Sequence, residues 1–480
     1  MHVYVLESPC RERCDETSFE VADTSELSSA AGDVSRVRVD VTGVVAEREP
    51  GSGVPLYFAQ DADRLAISTD LATLETLGVP RVADEQAVHT HLAFGLLTGG
   101  RTYLAGVGQV QAGEQVRWNL AAGRGPRRRL TAIAVDVPIC PTDIDDLLAD
   151  VLTSWRASPH VLLLSGGLDS SLLYRLLYRA SSPRPTFSTD YWFYRTTAPE
   201  RRYAETAAAE LGADHVFVRS DRAQYLRHLV TATAATHVPL GGLQAALIHG
   251  LLAAVPTVGP TTFITGQGAD ALFGGPSPGT DWRSAETRFG PWRHAWESVC
   301  AALGITGDPF ADRVDVLSTI DATDHTEPNR WRLFQLLTYT DRGQTSWVGS
   351  ARSLGHAMVY PFLDRRVIAW AAGNVAERNW APTKPALQAA AVRVGLSDQL
   401  IHRPKLSFGP TGTEWLTEFS GLHWLVADLM DRRSFERIVA LPDSRFVVWN
   451  LLTYAVWHRM VLKRESVDDI LDRMAALPPG

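Results

Sequence analysis

Two stretches of this sequence combine glycines, hydroxyls and an acid in a spacing that suits a phosphorylated ligand. The first is Leu164-Ser165-Gly166-Gly167-Leu168-Asp169-Ser170-Ser171. Its glycines allow the backbone close to a ligand, and the free N–H groups of a helix start favour an anion. Ser165 and Ser170 add hydroxyl donors. No Gly-Lys-Ser/Thr follows, so this is not a Walker loop. An acid in a phosphate loop repels phosphate unless it holds a cation, so Asp169 reads as a Mg2+ ligand. The second stretch is Thr265-Gly266-Gln267-Gly268-Ala269-Asp270-Ala271-Leu272-Phe273-Gly274-Gly275. Asp270 alone would be an ordinary surface acid. Paired with the first loop it is the second carboxylate for the same ion, since Mg2+ takes one or two protein carboxylates and leaves the rest to phosphate and water.

Such loops need a sheet edge to stand on, and the surrounding residues supply one. Val161-Leu-Leu-Leu is a continuous apolar run, expected of a buried parallel strand. Ser170 to Ala180 follows as a helix with Leu172, Leu173, Leu176 and Leu177 on one face. Pro185-Thr-Phe-Ser-Thr, His215-Val-Phe-Val and Thr261-Thr-Phe-Ile-Thr are further strands, with a helix over 200–211 closed by Gly212. Strand and helix alternate, which predicts a doubly wound parallel sheet with ligands at its carboxyl edge. The pattern starts near Pro141, where Thr142 is expected to cap a helix with acids in its first turn. Before it the chain is β-rich: strands are expected at Val37–Thr42, Leu65–Thr69 and Gln115–Asn119, and a short helix over 85–94. Beyond about 285 it is mostly helical. The expected domains are therefore 1–140 and 141–480.

Composition narrows the function classes. With 480 residues the chain is too long for one core, and 45% apolar content is that of a soluble globular protein. No apolar run approaches the roughly 18–20 residues of a membrane span. The opening residues lack the pattern of a signal peptide, so a cytoplasmic protein without membrane partners is expected. The net charge is −8, and the one dense basic run, Arg124-Gly-Pro-Arg-Arg-Arg129, reads as a solvated loop; no nucleic-acid partner is expected. Cys10, Cys14, Cys140 and Cys300 fit neither a disulfide framework nor a zinc site.

The two loops, Pro361-Phe362-Leu363-Asp364, Lys384-x-x-Leu387 and Arg403-Pro404-Lys405-x-x-Phe408 occur in the order found in the asparagine synthetase B superfamily. Glu200-x-x-Tyr203-Ala204 and Leu211-Gly212-Ala213-Asp214-His215 resemble that family's helix after the second strand. The likeness covers roughly 140–415. It implies an α/β synthetase domain of the PP-loop ATP pyrophosphatase type, related to adenine nucleotide alpha hydrolases, with a helical tail. It also implies that ATP adenylates a carboxylate, pyrophosphate leaves, and an amine displaces AMP. Mg2+ is the implied metal, held by Asp169 and Asp270. The implied nucleotide-binding residues are Leu164, Ser165, Gly166, Gly167, Leu168, Asp169, Ser170, Ser188, Thr265 and Gly266.

The first 140 residues resemble the family's Ntn-type glutaminase half at Tyr57-Phe58-Ala59, Leu65 to Asp70, Phe94-Gly95 and Gly106 to Gly113. Glutamine-hydrolysing members need a Cys as the mature first residue, and here Met1-His2 stands instead, so a vestigial domain making no ammonia is expected. Members that have lost the glutaminase include β-lactam synthetases and lasso peptide macrolactam synthetases. Gln267 stands where the β-lactam enzymes carry a Tyr and asparagine synthetases a Glu. Ala357 and Val359 stand where a Glu, or Glu-x-Arg, would precede Pro-Phe-Leu-Asp. The likeness to lasso cyclases is the closest, with macrolactam closure as the expected reaction. A leader peptidase and a precursor-recognition protein are the implied partners. Small-molecule amide, β-lactam or ammonia-dependent asparagine synthesis is the alternative, and a nucleotide-binding protein without catalysis a third.

Only three of the 46 basic residues are lysines. Lys405, in a turn-like stretch, suits a cation beside the α-phosphate. Lys384 stands at a helix start, where a cation is unfavourable unless an anion faces it, and an external anion is expected. Lys463 reads as helix surface. The catalytic set is thus Lys405, Lys384 and Gln267. His356 is a candidate base, with a structural role the simpler reading, and Asp364 reads as a helix N-cap. Trp282, Trp292, Trp296, Trp331 and Trp347 could line a peptide channel, although Trp more often packs in cores.

Overall fold

The computed structural model describes residues 3–7, 28–29, 33–40, 43–61, 64–76, 78–119, 126–134, 138–156, 158–178, 184–191, 199–242, 244–257, 259–277, 280–284, 292–376, 380–404 and 421–476. Lys405, Cys10 and Cys14 lie outside them.

The N-terminal part places β1 (Val3–Glu7), β2 (Ser28–Ser29), β3 (Asp33–Asp40), β4 (Gly43–Arg48), β5 (Leu56–Gln60), β6 (Arg64–Ser68), β7 (Val107–Val110), β8 (Glu114–Trp118) and β9 (Arg127–Leu130) in two antiparallel sheets. Their orders are β1-β6-β5-β7 and β2-β3-β4-β8-β9. The alternating strands turn Val44, Ala46, Val116 and Trp118 of one sheet toward Leu56, Leu65, Ile67 and Val110 of the other. The expected helix over 85–94 is present as Glu85–Phe94, capped by Asp84, whose side chain accepts from Ala87 N–H.

The second body is a parallel sheet of β10 (His160–Leu163), β11 (Pro185–Tyr191), β12 (Asp214–Ser220), β13 (Thr262–Ile264) and β14 (Ala357–Val359), in the order β12-β11-β10-β13-β14. Helices Leu168–Leu177 and Pro199–Leu211 are crossovers on one side. Gln244–Ala254 and Asp341–Ser353 pack beneath β11 and β14 on the other, because the order reverses after β12. Leu162, Phe263 and Ile264 are fully buried between them. The first crossover helix begins at Leu168, two residues earlier than expected, so Asp169 lies in its first turn. The helix at 144–153 is led by Asp143, not Thr142. The Thr142 carbonyl accepts from Trp370 Nε1 at 2.7 Å.

A helical tail joins the two bodies. Arg445–Trp457 packs against Glu85–Phe94, and one apolar cluster mixes Leu92 and Ala93 with Leu229, Val299, Trp449 and Leu452. A single π-turn, Leu336–Thr340, interrupts the passage from Glu327–Gln335 into Asp341–Ser353. Among the described residues no helix is long and apolar enough to cross a membrane.

Candidate active site

β10 and β13 are neighbours at the point where the strand order reverses, the place where open parallel sheets bind ligands. Each ends in one of the two glycine loops, so the topology brings the loops together. A Cβ on Gly266 would stand 3.0 Å from Asp169 Cβ and 3.3 Å from Ser170 N, which puts the loops in contact. Gly166 has φ +71°, and a Cβ there would overlap Tyr203 O at 2.3 Å. No other residue fits this turn beneath helix Pro199–Leu211.

The first loop is tied to itself. Ser165 and Ser170 hydroxyls lie 3.2 Å apart, Ser170 Oγ also accepts from Ser165 N at 3.3 Å, and Ser165 Oγ accepts from Gly167 N at 3.3 Å. The helix N-cap, Gly167, makes no side-chain cap, so the first-turn N–H groups have no side-chain acceptor. Leu164 and Leu168 are buried in the core and offer a ligand only backbone. Leu164 N donates to Phe187 O at 3.0 Å, which sets Ser188 one residue past the loop on β11. Ser188 Oγ lies 3.0 Å from His215 Nε2, and Thr186 Oγ1 lies 2.8 Å from His215 Nδ1. Burial pushes this imidazole down to about 4, so it is neutral near pH 7. In the second loop Thr265 is buried and its hydroxyl accepts from Gln267 N at 3.3 Å.

Asp169 and Asp270 do converge, and a cation stands between them. Lys384 Nζ donates to Asp169 Oδ1 and Oδ2, both at 2.6 Å, and to Asp270 Oδ1 at 3.0 Å. The anion facing Lys384 is therefore the protein's own carboxylate pair, which corrects the expectation of an external one. The reason is local: Lys384 adopts φ +58° at the N-cap of helix Pro385–Arg393, and this turn sends its side chain inward, leaving it 7% exposed. Burial alone would lower the ammonium's pKa, but Asp169 and Asp270 outweigh it and hold the group above the usual lysine value. The ammonium also tests the metal assignment. One cation-sized point lies within reach of both carboxylates, so the donor set fits a divalent ion. Among the described residues no group of three or more His, Cys, Asp or Glu converges, which leaves an oxygen-ligated ion the remainder of its shell for phosphate and water.

Sequence reasoning gave Arg403 no role. Its Nη1 donates to Ser165 O at 3.2 Å, and its guanidinium lies 4.3 Å from the Tyr203 ring centroid, bridging the first loop and the crossover helix. His356 is removed from the site. It directly precedes β14, at the amino end of a parallel strand, whereas both loops leave carboxyl ends; its ring packs edge-on against Phe263. Asp364 is the N-cap expected of it, accepting from Arg366 N at 2.8 Å.

A cavity of about 530 Å3 runs from Gln267, Gly268 and Asp270 toward the N-terminal sheets. The first loop does not line it, whereas Gln267, Gly268 and Asp270 of the second do. Tyr57, Phe94, Tyr103 and Gln109 form one wall, and Gln335, Tyr339, Arg342 and Trp347 another. Gln335 ends a helix that the π-turn follows, and Tyr339 lies within that turn. No sequence signal marked these residues, since the turn shifts which side chains face the cavity. Of the five tryptophans proposed for a channel, Trp347 alone lines this cavity. Trp282 and Trp331 pack edge-to-face, Trp296 stacks on His89, and Trp292 packs on Phe446.

Two of the described lining residues are charged, and each has protein partners. Asp270 is held by Lys384. Arg342 donates through Nη2 to Gly99 O at 2.7 Å and Arg101 O at 3.1 Å, and through Nη1 to Gln109 Oε1. Among the described lining residues the rest are neutral; Gln109 and Gln335 are buried, and the Nε2 of each has no acceptor among the described residues. Burial also raises the Tyr57 and Tyr103 phenols well above their usual value, so both keep their protons.

A family model described as asparagine synthase matches residues 149–476. No curated protein matches the chain.

Proposed function

The chain belongs to the asparagine synthase family, and from that premise we propose that it closes an amide bond within a peptide, as a macrolactam synthetase of the lasso type. The family consists of ATP-dependent ligases, generally used with Mg2+. In the proposed reaction a substrate carboxylate oxygen attacks the α-phosphorus of ATP, and pyrophosphate leaves. An amine then attacks the acyl carbon of the resulting acyl-adenylate, loses a proton and displaces AMP. A divalent ion held by Asp169 and Asp270 would neutralise phosphate charge and orient the leaving pyrophosphate. The chain's own residues do the rest. The N–H groups at the start of helix Leu168–Leu177 face phosphate oxygens, and Lys384 and Lys405 supply positive charge where negative charge builds up. Gln267, which lines the cavity together with Asp270, orients the acyl or amine partner.

The observation that carries the peptide reading is the cavity's chemistry. A free amino acid brings an α-ammonium and an α-carboxylate, and burying either needs an opposite charge. Asp270 and Arg342 are the charged groups among the described lining residues, and both already have protein partners; the rest of that lining is neutral, with Tyr57, Phe94, Tyr103, Tyr339 and Trp347 supplying aromatic faces. Uncharged peptide backbone and side chains suit such a surface. A volume of about 530 Å3 also holds more than one amino acid.

The test is ATP–pyrophosphate exchange with two kinds of carboxylate. Peptides with a free N-terminus and an internal Asp or Glu are expected to stimulate exchange, and free aspartate and glutamate are not. Exchange driven by free aspartate alone would replace this reading with small-molecule amide synthesis. Absence of exchange with every carboxylate would favour a nucleotide-binding protein without catalysis.

A further inference from the structure

The Asp169–Lys384–Asp270 cluster does more than gather charges. All three N–H bonds of the ammonium are directed at carboxylate oxygens, two at Asp169 and one at Asp270. The lysine is anchored at its base. Its carbonyl accepts from Leu387 N at 3.0 Å and Gln388 N at 3.1 Å, and Pro385 fixes the next residue. Its left-handed φ of +58° is a conformation that a non-glycine residue holds only at an energetic cost. The three contacts stabilise that turn. Asp270, 54% exposed, is the one open side of the cluster, while Asp169 is 20% exposed.

A divalent ion binding these carboxylates would sit about 2.0–2.1 Å from their oxygens, in the space the ammonium fills. The two cations cannot share that point: an ion entering it has to displace the ammonium from the Asp169 and Asp270 oxygens it holds, and one beside it meets both its repulsion and oxygens already engaged. The carboxylates are also already neutralised to a net charge of one. A polyphosphate changes the balance, because its oxygens offer the ammonium an alternative set of acceptors beside the first loop and bring their own ligands for the ion.

We propose that Lys384 is a built-in counter-ion that keeps the Asp169–Asp270 pair closed to a bare divalent cation, so that metal enters only together with a polyphosphate that draws the ammonium away. This rests on the metal reading of the two carboxylates. It makes loading ordered: metal and nucleotide arrive as one, and a free ion does not occupy the empty site.

The experiment is equilibrium dialysis of Mn2+ against the full chain, alone and with pyrophosphate or ATP, the protein-free polyphosphate solution being subtracted. Wild type is expected to retain no Mn2+ by itself up to millimolar concentration and about one per chain with either polyphosphate. Lys384→Met is expected to bind Mn2+ without polyphosphate, at least tenfold tighter than wild type. The double variant Lys384→Met with Asp270→Asn should lose that binding. Wild type binding Mn2+ alone as well as with polyphosphate overturns the proposal while leaving the metal site standing, and this arm needs no variant to fold. If wild type retains no Mn2+ even with ATP, both the proposal and the metal reading fall.

Discussion

Asp169 and Asp270 are not equivalent, and the difference sets an order of effects. Asp169 takes two of the three Lys384 contacts and is the less exposed. Asp169→Asn should therefore reduce ATP–pyrophosphate exchange by more than about 10³-fold, and Asp270→Asn by about 10²-fold or more. Circular dichroism checks that each variant is folded, and near-normal exchange in either would remove that residue from the site. Lys405→Ala should lower turnover by about 10²–10³-fold with a smaller change in ATP affinity. Lys463, exposed beyond the last buried turn of its helix, is the control and should be nearly silent when changed to Ala. A Lys405→Ala enzyme turning over at the wild-type rate would end its assignment to the acyl-transfer step. The convergence of Asp169, Asp270 and Lys384 was foreshadowed in the sequence because their chemistry is unusual for their setting: an acid inside a phosphate loop, a lysine in an arginine-rich chain. Lys384's partners were not legible, since a one-dimensional reading sees a cation at a helix start but not the left-handed turn that aims it inward. Gln109 and Gln335 carried no signal at all. A glutamine becomes notable only when burial leaves its amide without a partner.

Strands and helices were legible to within a few residues where apolar periodicity ran unbroken, as in β10 or the helix Glu85–Phe94. They were less so where tertiary contacts override local preference. The helix cap falls one residue later than expected, at Asp143, and strand polarity sends His356 to the other edge of the sheet. The contact between Glu85–Phe94 and Arg445–Trp457 belongs to this second kind. His91 is fully buried there: its Nε2–H donates to Asn450 O at 3.1 Å and lies 2.9 Å from Thr453 Oγ1, and its Nδ1 accepts from Tyr103 O–H at 2.8 Å. Burial pushes its pKa down to about 4 from 6.5. In the unfolded chain the ring protonates first as pH falls, so its contribution is complete above pH 6.5 and is lost as pH drops through the window down to about 4. The loss should be about 2 kcal/mol between pH 7 and pH 5. His91→Phe should cost about 1–3 kcal/mol at pH 7 by leaving the buried Tyr103 hydroxyl without its acceptor, and should flatten that acid step. Urea denaturation of both proteins at the two pH values measures it, and an acid step of equal size in the variant would assign the effect to other groups.

At the scale of the whole molecule, the division at residue 140 is a boundary of secondary-structure type, and the packing crosses it. Arg48 of β4 is fully buried with Asp341 at the start of the helix behind β14, their Nη1 and Oδ1 2.7 Å apart; the guanidinium also donates to Ser52 O and Val110 O. His91 and Asn450 tie the helices, and Asn450 Nδ2 donates to Leu92 O at 3.1 Å. The apolar cluster around Trp449 draws Ala87, Val88, Leu92 and Ala93 from the first 140 residues, all buried to 3% exposure or less. Taking them away would bare a large apolar face, which a soluble monomer does not tolerate. It would also leave Asp341 as a buried charge without its partner, a loss of about 3–5 kcal/mol by itself. The cavity would lose Tyr57, Tyr103 and Gln109, one of its walls. Residues 141–480 made alone should therefore aggregate or bind a hydrophobic dye, and co-expression with 1–140 as a separate chain should restore a soluble complex. In the intact chain, Arg48→Met should lower stability by about 3–5 kcal/mol, and adding Asp341→Leu should recover much of it, because the pair is costly chiefly when half of it remains. Calorimetry is expected to show one cooperative unfolding transition for the intact protein. Two well-separated transitions, together with a soluble and folded 141–480, would mean that the N-terminal sheets are an appendage, and the cavity wall they provide would then have no part in holding substrate.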